Sequence, residues 1–279
     1  MPDPGRNVTD ALSQDPPTGN GAPAKTLPQA IPSGGVNLNA ILYTAAGQGP
    51  HPTVLLLHGL PGNEQNTDLA QTMRRAGWNV LTIHYRGSWG GPGTFSFGHC
   101  LEDAAAALSW VRDKASDAAL KLDARRTVVI GHSMGGFVAA HILAERPEII
   151  GGVMISGVDL ARSFGADDRG RAAACVDENV GFGAGLHILA GTSAQALAEE
   201  AQSNADRWQL TTYAGRLANR PLLMVTSDDG FARGSDALAD AIQELGAAQL
   251  ECQHFATDHS YSNCRIKLQT AVLLWLTQF

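Results

Sequence analysis

Continuous apolar runs recur along the chain, each followed by a segment with apolar residues at helical spacing. Residues 53–57, 78–83, 128–130, 149–156 and 221–226 form such runs, as strands buried on both faces of a parallel sheet do. Between them, Leu69, Met73 and Ala76 mark an amphipathic helix closed by Gly77. Leu101, Ala105, Leu108 and Val111 mark the inner stripe of a second helix over 97–114. Phe137, Ala140, His141 and Ala144 mark a third, which Pro147 stops. Another helix over 235–245, a strand over 249–255 and a final helix with Ile266, Leu273 and Leu276 on its apolar side complete the pattern. Strand–helix–strand steps in this number predict an α/β protein with a doubly wound, mostly parallel sheet.

The rhythm is absent in two places. Seven of the 13 prolines fall within the first 32 residues, so residues 1–26 read as a flexible tail. A hairpin follows, over 27–31 and 38–43, with its turn at Ser33, Gly34 and Gly35. Residues 157–220 hold no convincing strand; charged positions such as Arg162, Asp168 and Arg171 mix there with glycines and with Phe164, Phe182, Trp208 and Tyr213. That segment reads as a helical cap or lid inserted into a core of residues 27–156 and 221–279.

The chemistry concentrates at Gly131-His132-Ser133-Met134-Gly135. A strand must become a helix there within a few residues, and small residues on either side of Ser133 permit the turn. The Gly-x-Ser-x-Gly pattern lifts the serine hydroxyl above a sheet and sets the Met134 N–H at a helix N-terminus, as an oxyanion donor. A helix-capping serine would leave the same signature, so the reading depends on partners. Acyl transfer by serine needs a base and an acid that orients it. His259 and Asp229 follow Ser133 in the required order, each after a strand end. Asp228 and Asp159 compete for the acid role. His58-Gly59-Leu60, after the strand at 53–57, offers the Leu60 N–H as a second oxyanion donor, with His58 organising that loop. The glycine-rich loop over 84–93 lies at another strand end and buries little, so it either lines the site through Tyr85 and Trp89 or is plain surface; Phe164, Phe182 and Trp208 from the cap either line the pocket or pack the cap onto the core.

With these motifs the chain resembles the α/β-hydrolase superfamily over residues 30–279: His58-Gly59, the elbow at Ser133, Asp229 after the strand that follows the cap, and Asp258-His259-Ser260 near the end. The loop Tyr85-Arg86-Gly87-Ser88-Trp89-Gly90 and the compact cap are similar to those of dienelactone-hydrolase-like and prolyl-oligopeptidase-like catalytic domains. Two departures stand out. The dienelactone type carries Cys where this chain has Ser133, and the large peptidases carry an N-terminal propeller for which 279 residues leave no room. The resemblance implies a Ser133–His259–Asp229 triad and a serine hydrolase.

Composition narrows the partners. A formal net charge of −7 argues against nucleic acid or an anionic membrane. No apolar run reaches the ~18 residues of a membrane span, and no charged-then-apolar order marks a secretion signal, so a cytoplasmic location is expected. No His, Asp and Cys cluster has metal spacing, so neither metal nor other cofactor is expected. Of the four cysteines, Cys252 and Cys264 bracket the His259 loop, which leaves one disulfide between them open. The expected reaction is hydrolysis of a small carboxylic ester through an acyl-enzyme. A peptidase or amidase with the same triad is the alternative, and a non-catalytic ligand-binding module the minor one.

Overall fold

The computed structural model describes residues 8–16, 21–164 and 183–279. Eight strands form one sheet in the order β1-β2-β4-β3-β5-β6-β7-β8. They are β1 (Lys25–Ser33), β2 (Val36–Thr44), β3 (His51–Leu57), β4 (Asn79–Ile83), β5 (Leu122–His132), β6 (Gly151–Ile155), β7 (Leu222–Ser227) and β8 (Leu250–Phe255). β2 is antiparallel to both β1 and β4, and every other pairing is parallel. Gly34 and Gly35, with φ of 52° and 81°, close the β1–β2 hairpin; two positive φ values suit the tight turn between twisted strands.

Burial on both faces explains the apolar runs. In β3, Val54 and Leu56 face one hydrophobic cluster while Leu55 and Leu57 face the other. Helices α3 (Phe97–Asp113), α4 (Met134–Glu145) and α9 (Ala232–Glu244) cover the second of those faces; α1 (Val8–Ser13), α2 (Thr67–Arg75) and α10 (Arg265–Leu276) cover the first. Among the described residues no helix is long and apolar enough to cross a membrane.

Between β6 and β7 the described chain is helical: α5 (Leu160–Phe164), a 3-10 turn Gly183–Ile188, α6 (Ala194–Ser203), α7 (Ala205–Trp208), a 3-10 turn Leu210–Tyr213 and α8 (Ala214–Leu217). This segment is fastened to the core. Ala190 N donates to Gly87 O at 2.7 Å and Phe95 N to Ala190 O at 2.9 Å. Glu200 accepts from the N–H groups of Phe97 and Gly98 at 2.8 and 2.9 Å, satisfying donors at the start of α3.

Several expectations need correction. The N-terminal segment is not simply a tail: Ala11 of α1 is buried against the first face, and Arg75 Nε donates to its carbonyl at 2.6 Å. The stripe of α3 is rotated from the expected one, because Cys100, Asp103, Ala104 and Ala107 point inward and Leu101 and Ala105 are only partly buried. Ile266 is 70% exposed, and the buried side of α10 runs through Leu268, Val272, Leu273, Trp275 and Leu276. The question left open for Cys252 and Cys264 is answered without a correction, since both are free thiols.

The loop after β4 also departs from expectation, since its first half, Tyr85 to Ser88, is buried. A charged pair makes that burial tolerable. Arg86 Nε donates to Asp103 Oδ1 at 2.7 Å, Arg86 N to Asp103 Oδ2 at 2.8 Å, and Ser33 Oγ to Asp103 Oδ1 at 2.6 Å. Buried charges need such saturation by hydrogen bonds.

Candidate active site

β5 turns into α4 through Ser133, which holds φ 59° and ψ −124°. A non-glycine residue at positive φ is strained, and the surrounding glycines make this geometry attainable. A Cβ on Gly131 would lie 1.8 Å from Gly135 O, and one on Gly135 would lie 2.3 Å from Leu57 O. The turn is anchored by Ser133 N donating to Ile155 O at 2.9 Å and by Val158 N donating to Ser133 O at 3.1 Å. Ser133 is 2% exposed, and its buried Oγ has no partner among the described residues.

His259, from the loop after β8, stands against Asp229, from the loop after β7. Its Nδ1 lies 2.7 Å from Asp229 Oδ2. A carboxylate only accepts, so Nδ1 carries the ring proton and Nε2 presents a lone pair. That Nε2 is buried and, like Ser133 Oγ, has no hydrogen-bond partner among the described residues. Ser227 Oγ donates to Asp229 Oδ2 at 2.9 Å and Phe231 N to Oδ1 at 2.8 Å. Burial alone would raise the Asp229 carboxyl; hydrogen bonds from His259 and the Phe231 N–H outweigh it and hold the group down to about 2.

The rival acids stand elsewhere. Asp228 faces His254 Nε2 at 3.0 Å in an exposed pair. Asp159 accepts from Arg162 N at 2.9 Å and Leu210 N at 3.1 Å, so it starts α5 and ties down the second 3-10 turn. Burial raises the Asp159 carboxyl above its ordinary range.

His58 Nδ1 donates to Gly59 O at 2.8 Å. In a trans peptide the N–H points opposite to the carbonyl, so fixing Gly59 O also fixes the direction of the Leu60 N–H. Burial, chiefly, lowers His58 to about 4 and keeps its ring neutral. Among the described residues neither the Leu60 N–H nor the Met134 N–H has a protein acceptor. A Cβ on Gly185 would lie 2.5 Å from Pro61 Cγ, so the segment between β6 and β7 reaches this loop.

The aromatic positions divide. Trp89 is 40% exposed and its Nε1 donates to Pro61 O at 3.1 Å, beside the Leu60 loop. Tyr85 is wholly buried, its ring 4.7 Å from that of His58. Phe164 and Trp208 pack on Phe97, with centroids 5.4 and 6.3 Å away, and so fill the interior between the inserted segment and α3. Phe182 lies outside the described residues. Of the two roles open to Phe164 and Trp208, packing onto the core is the one their contacts show, and Tyr85 is buried rather than at the surface.

His132, in the variable place of the elbow, contacts the His259 loop. Its Nε2 donates to the His259 carbonyl at 2.8 Å and the two rings stand 4.7 Å apart. Burial first, and then the neighbouring imidazole, lower His132 to about 3. No sequence pattern marks this role, because the contact joins residues 127 apart.

A family model described as the alpha/beta hydrolase fold matches residues 52–231, well over half of the chain. The chain belongs to the α/β-hydrolase fold family. Acylamino-acid-releasing enzyme 2 of Oryza sativa subsp. japonica is 28% identical over 120 residues, which cover 39% of this α/β-hydrolase chain but only 15% of the rice enzyme. An esterase of Pyrococcus furiosus has a structure with a TM-score of 0.66 at 19% identity, covering 95% of this chain and 99% of that one. An acylaminoacyl peptidase of Pyrococcus horikoshii gives a TM-score of 0.65 at 15% identity, over 91% of this chain and 41% of that one. At these identities the two structures share a fold with this α/β-hydrolase chain.

Proposed function

We propose that this chain is a serine hydrolase that cleaves carboxylic esters through an acyl-enzyme. The observation that carries the reading is the His259 Nδ1 contact of 2.7 Å with Asp229, on a sheet whose elbow holds Ser133 at φ 59°. His259 Nε2 takes the Ser133 proton as Oγ attacks the ester carbonyl, and Asp229 stabilises the imidazolium that forms. The N–H groups of Leu60 and Met134 receive the oxyanion. The imidazolium then returns the proton to the leaving alcohol. In the second half, water gives its proton to Nε2 and attacks the acyl-enzyme, and the imidazolium returns that proton to Ser133 Oγ as the acid leaves. Residues 157–220 serve as the cap, and Trp89 lines the entrance.

A second reading, amide cleavage, draws support from the partial likeness to the rice enzyme whose name describes release of acylated amino acids. It needs His259 to protonate a poorer leaving group. p-Nitrophenyl esters assayed beside N-acyl-aminoacyl p-nitroanilides separate the two readings by the ratio of kcat/KM. The hydrolase reading itself is tested with a fluorophosphonate probe: wild-type protein is labelled and Ser133→Ala is not. Equal labelling of both would overturn it.

A further inference from the structure

Behind Asp229 lies a file of hydroxyls that the mechanism above leaves unused. Ser156, at the end of β6, and Ser227, at the end of β7, are both buried, with their Oγ atoms 3.0 Å apart. On its other side Ser156 Oγ lies 3.0 Å from the hydroxyl of Tyr261, which is wholly buried and also lies 3.2 Å from Val225 O. At the near end Ser227 Oγ donates to Asp229 Oδ2, the same oxygen that accepts from His259 Nδ1. Ser156 adopts φ 43°, a conformation that costs a non-glycine residue about 1–2 kcal/mol. Its N–H donates to Val225 O at 2.7 Å, which holds the strained turn in place. Strain of this kind persists where the surroundings over-determine it, and it clusters at functional sites.

We propose that Tyr261, Ser156 and Ser227 form a hydroxyl relay that donates into Asp229 Oδ2 and thereby sets how firmly Asp229 holds His259. The direction of the relay follows from its end. Asp229 can only accept, so Ser227 gives it its proton and leaves an Oγ lone pair for the proton of Ser156. Ser156 in turn accepts from Tyr261, whose single proton has Val225 O as its other acceptor. Each O–H polarises the next, which strengthens the last bond in the chain. Ser227 and His259 share one oxygen, while the Phe231 N–H holds the other at 2.8 Å. Removing the Ser227 hydroxyl therefore returns electron density on Oδ2 to the His259 bond without freeing the carboxylate to turn.

All three are positioning residues, since none touches the reacting atoms. The other charged or titratable groups facing the pair are His132 from the elbow, Asp258 beside His259, and Arg265, whose Nη1 donates to Ser260 O at 2.9 Å. None of these bonds to the relay hydroxyls. The inference rests on the serine-hydrolase reading for the task of Asp229 and His259, but its main test needs no substrate.

That test is low-field proton NMR of the His259 ring N–H, assigned by its loss in His259→Asn. It is recorded on the whole chain and on Ser227→Ala, Ser156→Ala, Tyr261→Phe and Ser227→Thr. The resonance moves downfield as donors to Oδ2 are removed, most in Ser227→Ala, less in Ser156→Ala and least in Tyr261→Phe. Ser227→Thr keeps a hydroxyl and stays at the wild-type position. A ring proton that stays in place in both Ala variants, with circular dichroism unchanged, overturns the relay. Should Ser156→Ala fail to fold, Ser227→Ala and Tyr261→Phe decide the matter. A wild type that resists fluorophosphonate refutes the hydrolase reading, while the resonance still decides the relay.

Discussion

Gly59 and Ser133 approach so closely that a Cβ on Gly59 would stand 2.7 Å from Ser133 Cβ and 3.1 Å from its Oγ. His132 O would lie 3.2 Å away on another side, so the added methyl cannot be absorbed by a flexible side chain. Overpacking of this kind costs about 1–3 kcal/mol. Gly59→Ala is therefore expected to keep the fold while displacing Ser133 or the Leu60 N–H. Its kcat/KM for a p-nitrophenyl ester falls at least about tenfold. Wild-type kinetics in that variant would mean that the Leu60 loop lies apart from the chemistry.

The two adjacent acids make a sharper contrast. Asp229 is buried on His259, whereas Asp228 is exposed on His254. Asp229→Asn replaces an acceptor that fixes the ring tautomer, and kcat is expected to drop by about 10³–10⁴-fold. Asp228→Asn should leave kcat within about twofold, because exposed pairs contribute little. Measuring both variants on one substrate checks the assignment; a large loss in Asp228→Asn alone would reverse it.

Asp229 also gives stability a defined acid limb. Its carboxyl is held down to about 2, from an ordinary 3.8, by the hydrogen bonds that outweigh its burial. A depressed folded-state value stabilises the fold above the unfolded value, and the stabilisation is lost as pH falls through the folded one. The contribution is roughly 2 kcal/mol above about pH 5, fading by pH 2. Urea unfolding midpoints of wild type and Asp229→Asn, followed from pH 6 to 2, should therefore converge as the pH falls. Curves that stay parallel would show that the carboxylate is not the source.

How much of this was legible in the chain follows from physical range. Strands such as β3 and β5 were readable because burial on both faces makes every position apolar, and Ser133 because glycines must flank a turn that tight. His259 and Asp229 were readable from their place after strand ends. Asp103 was not, since an acid in a helix reads as solvent-facing until a buried Arg86 is found to pair with it. The rotation of α3, the burial of Tyr85 and the exposure of Ile266 follow from such tertiary contacts. The Ser156–Tyr261 contact, between residues 105 apart, is likewise invisible in any local pattern.

Glu200 tests whether the inserted segment is anchored where the structure fastens it. Its two carboxylate oxygens take the Phe97 and Gly98 N–H groups, at the positive end of α3. Glu200→Ala is expected to cost about 1–2 kcal/mol and to speed limited proteolysis within residues 183–220. Glu200→Gln, which keeps an acceptor without the charge, recovers part of the loss. Unfolding and cleavage rates equal to wild type would place the anchorage in the Gly87–Ala190 ladder instead.

The buried Arg86–Asp103 pair should be worth more when broken than when replaced. Asp103 is wholly buried and Arg86 is 6% exposed, while Glu102, the other carboxylate on Arg86, is 64% exposed. Asp103→Ala leaves the guanidinium largely desolvated with the solvent-facing Glu102 and the His99 carbonyl as its partners, and it also strands Ser33 Oγ and Arg86 N, so a loss of about 3–5 kcal/mol is expected. Replacing both residues, as in Arg86→Met with Asp103→Leu, removes both desolvation costs and fills the same volume. That double variant should be more stable than Asp103→Ala by about 1–3 kcal/mol in urea unfolding, although the same loop loses its bond to Arg86 N. If the double variant is instead the less stable, the pair's hydrogen bonds to Ser33 and the loop backbone outweigh the cost of burying charge. The Tyr85–Ser88 turn would then be held by polar order rather than by packing.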